Sequence, residues 1–134
     1  MSAASEWPRA MAVGEAGLTL GDVCTLLEAE TLVAGDEGAR VLAIGAADLM
    51  SDVLALGTPG MLLLTGLVTT QAIRTAAVAD LVGVVFVRDK HVGEDIVALA
   101  REAAVPVMRT RLTLFEASGR LYSSLGVSGQ RSGK

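Results

Sequence analysis

From Gly57 onward the chain states one pattern three times: an apolar, β-rich run, a short polar turn, then a stretch with helical period. "MLLLTG" is followed by "VTTQAIRTAAVAD", "VGVVFVRDKHV" by "GEDIVALAREAA", and "VPVMRTR" by "LTLFEASGRLYSSLG". Alternation of this kind predicts parallel strands joined by right-handed crossover helices. Continuous apolar runs, as opposed to alternating ones, suit strands covered by helices on both faces. Aromatic residues make up only 3% of the sequence while apolar residues make up 51%, so the core must be built from Ala, Val and Leu. The fold class expected is α/β: a single domain with a mainly parallel sheet, preceded by an N-terminal helix and short strands.

Within the repeats, Ile96, Leu99, Ala100 and Ala103 follow the i, i+3, i+4, i+7 template of an amphipathic helix, with Glu94, Asp95, Arg101 and Glu102 largely off that stripe. Leu114, Ser118, Leu121 and Leu125 make a second stripe, flanked by Phe115 and Tyr122 and stopped by Gly126. Upstream, "LTLGDVCTLLEAE" reads as a helix capped by Thr19, followed by the short strand "TLVAG", the turn "GDEG" and the strand "RVLAI". The single cysteine, Cys24, excludes an internal disulfide. Its spacing to Leu20 and Leu27 predicts a buried, inert thiol.

Residues 1–17 read as a flexible leader, 18–127 as the domain and 128–134 as a flexible tail. The opening lacks the basic start and apolar run of a secretory signal, and the apolar stretches are broken by Gly57, Pro59, Gly60 and Asp80. A cytoplasmic protein with no membrane span is therefore expected. The closing "SGQRSGK" is no phosphate loop, because Gly129 and Gly133 are one residue too close. The net charge of −4 argues against nucleic-acid binding. It hides an asymmetry: residues 1–87 hold three basic and ten acidic residues, and 88–134 hold eight basic and five acidic. A local anion site in the second part is compatible with that.

Two stretches offer chemistry. In "ADLMSDVL", a helix at ~100° per residue places Asp48, Ser51, Asp52 and Ala55 on one side and Leu49, Met50, Val53, Leu54 and Leu56 on the other. The ordinary roles of the two aspartates are then capping by Asp48 and solvation by Asp52, with catalysis or metal binding as the alternative. His91 is the only histidine and reads as a solvated loop residue; one histidine and one cysteine do not make a zinc site. The better candidate comes from topology. Parallel sheets bind ligands beyond the carboxyl ends of their strands. Those ends carry Thr65 and Gly66, then Arg88, Asp89 and Lys90, then Arg109, Thr110 and Arg111, so four cations gather at one edge, which suits phosphate or carboxylate. Wet, charged loop ends are common on any domain, and Asp89 offsets part of the cluster.

The order "LTLGDVCTLLEAETLVAG", "ADLMSDVLA", a strand ending in Thr-Gly, "TTQAIRTAAVADLVGVVFV" and "VALAREAAVPVMRTRLTLFEASGRLY" resembles the DRTGG-domain family from about Leu18 to Val127. The nearest likeness is to small stand-alone members found beside iron-only hydrogenase and redox-signalling genes; a looser one is to the N-terminal domain of HPr kinase/phosphorylase. Most specific are "DLMSDVL" followed by the Gln71 helix, and the run through Ala103, Val105, Pro106, Val107, Met108, Thr110, Phe115 and Glu116. The Asp-Arg and Thr-Gly-Gly residues that name the family are replaced by "GARVLAIGAA", which keeps at most Arg40 and Gly45. The resemblance implies a regulatory or assembly domain without established catalysis, and it carries over no kinase activity, since the phosphate loop of that kinase lies in a separate domain.

The combined expectation is a non-catalytic accessory domain, a homo-oligomer, that senses a small anionic or nucleotide ligand or docks on a redox or kinase protein. The ligand-binding candidates are Asp48, Ser51, Asp52, Thr65, Gly66, Gln71, Arg88, Lys90, Arg109 and Thr110, with no catalytic or metal residue and the cofactor unknown. The alternative is a small enzyme acting on a phosphorylated or carboxylated metabolite at the same edge.

Overall fold

The computed structural model describes residues 11–12 and 17–125. The expected leader, apart from Met11–Ala12 and Gly17, lies outside the described residues, as do the Gly126 stop and the tail. The chain runs β1 (Met11–Ala12), β2 (Leu18–Thr19), α1 (Leu20–Leu26), β3 (Glu30–Val33), β4 (Arg40–Val41), β5 (Ala43–Ala46), α2 (Met50–Leu56), β6 (Met61–Thr65), α3 (Thr70–Val78), β7 (Gly83–Phe86), α4 (Glu94–Glu102), β8 (Val107–Arg109) and α5 (Leu114–Ser124).

The repeats fold as the alternation predicts. Strands β5, β6, β7 and β8 lie side by side and parallel, in register Ala43 to Met61, Leu62 to Gly83 and Val84 to Val107. Two antiparallel strands close the edges, β1 against β5 and β3 against β8, giving the order β1-β5-β6-β7-β8-β3. Strands β2 and β4 form a separate antiparallel pair.

The pleat explains why "MLLLT" is apolar throughout. Met61 and Leu63 point into a core with α2, α3 and α4, while Leu62 and Leu64 point into the opposite core with α1 and α5. All five residues of β6 are buried. Among the described residues no helix is long and apolar enough to cross a membrane.

Local chemistry sets the helix boundaries. Thr19 accepts from the Asp22 N–H while the Asp22 carboxylate accepts from the Thr19 N–H, a reciprocal cap at α1. Thr113 and Glu116 repeat the device at α5, and Thr69 caps α3. The Thr113 backbone N–H and hydroxyl donate to Glu116 and hold its carboxyl below the usual carboxylate range. Helices α1, α3 and α4 all end in the same way, with a left-handed residue (Glu28, Asp80 or Ala104) followed by an N–H that reaches back to the carbonyl five residues earlier. Glycine is the usual occupant of that position, and none of these three is glycine. Ala104, whose side chain offers no local hydrogen bond in return, bears the largest conformational cost, so Ala104→Gly should raise the unfolding free energy by about 0.5–1 kcal/mol in urea titrations.

Expectations about three of the helices need correction. Helix α2 begins at Met50, so Asp48 is outside it and Leu49 stands at its N-cap without a side-chain cap bond. Only Met50 and Val53 of its apolar set are buried; Leu49 and Leu54 are exposed because a seven-residue helix at the sheet margin buries little more than one turn. In α4, Ile96 and Ala100 are buried and Leu99 is half-buried, but Ala103 is exposed at the C-cap, where the chain turns back through Ala104. Cys24 is half-buried, with its Sγ donating to the Ala29 carbonyl at 3.2 Å. It is not enclosed in the core.

Candidate functional site

All four parallel strands end at one rim of the sheet, and the connections that leave it carry most of the candidate residues. Gly66 is at the centre. It follows β6, is buried, and each of its backbone groups has a charged partner. Its N–H donates to Asp48 Oδ1 at 2.8 Å, and its carbonyl accepts from Lys90 Nζ at 2.5 Å. A Cβ on Gly66 would come within 2.8 Å of Arg88 Nη2, so the guanidinium of Arg88 lies directly on this glycine. Only a residue without a side chain permits that approach.

Two threonines anchor the rim by the same device. Thr65, fully buried at the end of β6, donates its hydroxyl proton to Asp48 Oδ1 at 3.1 Å and accepts from the Leu67 N–H at 3.1 Å. Thr110, buried just after β8, donates to the Leu27 carbonyl at 2.7 Å and accepts from the Leu112 N–H at 3.2 Å. Each hydroxyl spends its donor on a distant segment and an acceptor lone pair on the turn that follows it. Among the described residues no buried side-chain polar atom lacks a partner.

The sequence-based role for Asp48 is therefore wrong. Asp48 caps no helix; its carboxylate ties the β5–α2 connection to the end of β6. Asp48→Ala would leave the buried Thr65 hydroxyl and the Gly66 N–H without that acceptor. The expected loss of stability is about 1–3 kcal/mol, read from the urea midpoint at unchanged m-value.

The connection after β7 is strained. Arg88 (φ 69°) and Asp89 (φ 53°) are successive non-glycine residues in the left-handed region. Their N–H groups are held by the carbonyls of Leu112 and Thr110, at 2.8 and 2.9 Å, which stitch this turn to the one after β8. The result presents the Arg88 side chain over Gly66 and turns Lys90 back onto the Gly66 carbonyl.

The four cations expected at the edge are not equivalent. Arg109 pairs with Glu30 at 2.9 Å through one Nη and donates to the Lys90 carbonyl at 3.4 Å through the other. Glu30, which the sequence did not single out, reaches this rim because β3 runs antiparallel beside β8 and puts its first residue opposite Arg109. Arg111 is exposed and contributes to lowering the carboxyl pKa of Glu28; the hydrogen bond and charge of Arg120 are the larger causes. Arg88 makes no ion pair with a described carboxylate.

Of the remaining candidates, Ser51 and Asp52 are exposed in the first turn of α2, and Gln71 is exposed in the first turn of α3. The structure thus brings together Asp48, Thr65, Gly66, Arg88, Lys90 and, one strand further, Arg109 with Thr110. His91 is exposed in the loop before α4. Among the described residues no group of three or more His, Cys, Asp or Glu side chains is placed to hold a metal ion.

No family model matches the chain, and no curated protein matches it. The fold is shared with a solved structure, the CBS and DRTGG domains of the regulatory region of Clostridium perfringens pyrophosphatase complexed with its activator, diadenosine tetraphosphate. The TM-score is 0.72 at 15% sequence identity, over 84% of this chain and 49% of that one. The present chain therefore spans about half the length of that regulatory region.

Proposed function

We propose that this protein is a non-catalytic regulatory domain that binds a small anionic ligand, of the nucleotide or phosphate class, at the rim centred on Gly66. The observation that carries the reading is the placement of Arg88: an exposed side chain whose guanidinium has no described carboxylate partner, held over the buried Gly66 at the strand-end rim by a strained backbone. Strain of this kind persists only where surrounding bonds enforce it, and such positions cluster at ligand clamps and switches. Arginine's planar fork suits bidentate recognition of phosphate or carboxylate. Lys90 adds a second cation, and the exposed Gln71 at the start of α3 offers an amide to a base or sugar.

Two further facts support a regulatory role. The fold is that of a regulatory region whose solved complex contains a nucleotide activator, and the motifs in "DLMSDVL" and "VPVMRTRLTLFEASGRLY" resemble those of DRTGG domains. Asp48 Oδ1 accepts from both Thr65 and Gly66, so this carboxylate holds the rim together, a structural part in a binding site.

A thermal-unfolding screen tests the reading with inorganic pyrophosphate, AMP, ATP and diadenosine tetraphosphate as probes. A ligand present at a hundred times its dissociation constant should stabilise the folded chain by about 2.7 kcal/mol. No shift with any of the four would remove the anion-sensing role.

A further inference from the structure

Helix α5 has a second face that the domain does not use. Ala117, Leu121 and Leu125 bury one side of it against the sheet and α1. The opposite side carries Phe115, Gly119 and Ser123 at i, i+4 and i+8, and Phe115 is 87% exposed. A shallow groove runs along this side, between α5 and Thr25 and Leu26 of α1.

Gly119 has no explanation within the domain. It sits in the middle of an eleven-residue helix, its φ is not positive, and a Cβ there would meet nothing within 4 Å. Glycine weakens a helix more than any residue but proline. A glycine that is neither a turn nor packed under a neighbour fits a place where another backbone approaches from outside.

We propose that this face of α5 is the contact surface for a second copy of the chain, packed antiparallel about a two-fold axis that passes beside Gly119. The charges select that occupant. Glu116 and Arg120 lie on the same flank of α5, and a two-fold axis perpendicular to the helix keeps the flank while reversing the order. Glu116 of each copy then falls beside Arg120 of the other. A parallel two-fold sends Glu116 and Arg120 of the second copy to the opposite flank, so the crossing pair does not form. Arg120 already uses one Nη on the Leu26 carbonyl and the Glu28 carboxylate, which fixes it on that flank and leaves its other nitrogens for the crossing pair. In the same geometry Phe115 of each copy covers Ser123 of the other and the groove beside it, and the two glycines let the helices meet closely. With Glu28, bonded to Arg120, and Arg111, whose charge acts on Glu28, the flank holds two acids and two bases, a balance that fits this self-complementary contact better than a basic or acidic partner.

Sedimentation equilibrium of the full chain across a hundredfold dilution series should give a mass twice that of the 13.7 kDa chain at the upper end. Gly119→Arg should weaken self-association at least tenfold; at a concentration where both chains are monomeric its circular dichroism melt should match or exceed that of the wild type, because the site is open and helix propensity rises. Phe115→Ser, at an exposed position, should weaken it in the same way. In a Cys24→Ser background, Gly119→Cys should form a disulfide-linked dimer with diamide, since a symmetric bridge requires Cα atoms within about 7 Å. A wild-type chain that stays monomeric throughout, or a dimer untouched by both Gly119→Arg and Phe115→Ser, would overturn the proposal. The surface is independent of the anion site, so loss of one reading leaves the other standing.

Discussion

Phe86→Ala should lower the unfolding free energy by about 3–5 kcal/mol, the largest effect expected of a single truncation in this domain. Phe86 ends β7 at the centre of the sheet, has no solvent exposure, and is the one buried aromatic among the described residues. It packs on the side of α3 and α4, in a core otherwise made of Ala, Val, Leu, Ile and Met. Small aliphatic neighbours on rigid strands cannot close around the void, so the cavity term adds to the lost transfer energy. Domains of this size are stable by only about 5–15 kcal/mol, and the variant would sit near the threshold of folding at physiological temperature. Phe115→Ala is the control. That ring is almost wholly exposed in the single chain, and its removal should change the stability of the monomer by less than about 0.5 kcal/mol. Urea titration of both variants at low protein concentration separates the two positions.

The second large effect is on ligand affinity, and it should run opposite to stability. Arg88→Gly removes the guanidinium over Gly66 and places at φ 69° a residue that adopts that angle without penalty. The folded chain should gain about 0.5–1 kcal/mol. Affinity for whichever probe the thermal screen identifies should fall by about 1.5–3 kcal/mol, the value of a charge-assisted hydrogen bond, which is roughly ten- to hundredfold. Asp89→Gly relieves strain in the same turn without removing a cation, and should stabilise the chain while leaving affinity intact. Arg109→Ala should cost less affinity than Arg88→Gly, because Arg109 is held by Glu30 and the Lys90 carbonyl. Calorimetric titration of the three variants at fixed ionic strength reads the affinities, and urea titration reads the stabilities.

The architecture was legible in the sequence to the extent that it rests on local pattern. The threefold strand-and-helix alternation is repeated in register by β6 to β8, and Thr19 marks the start of α1 through a bond only three residues long. The gathering of Thr65, Arg88, Lys90 and Arg109 at one rim followed from parallel strands alone. What escaped depends on contacts distant along the chain. Asp48 reads as a cap because it precedes a helix, yet its partners are Thr65 and Gly66, reached only once β5 and β6 are paired. Glu30 meets Arg109 across 79 residues because β3 crosses to the far edge and runs antiparallel there, an order no periodicity encodes. The exposed Leu49 and Leu54 belong to a helix too short to bury the stripe its sequence suggests. The strain at Arg88 has no sequence signal, since arginine does not favour the left-handed region, and Asp89, a residue type that enters it more readily, gives only a weak one.

The measurement that bears most directly on the ligand site is an amide ¹H–¹⁵N chemical-shift titration of the full chain with ATP. Saturable shifts confined to Gly66, Arg88, Asp89, Lys90 and the first turn of α3, and absent in Arg88→Gly, are the predicted result. Saturable shifts that map instead to the α1–α5 face, or that persist unchanged in Arg88→Gly, would contradict a site built around Gly66.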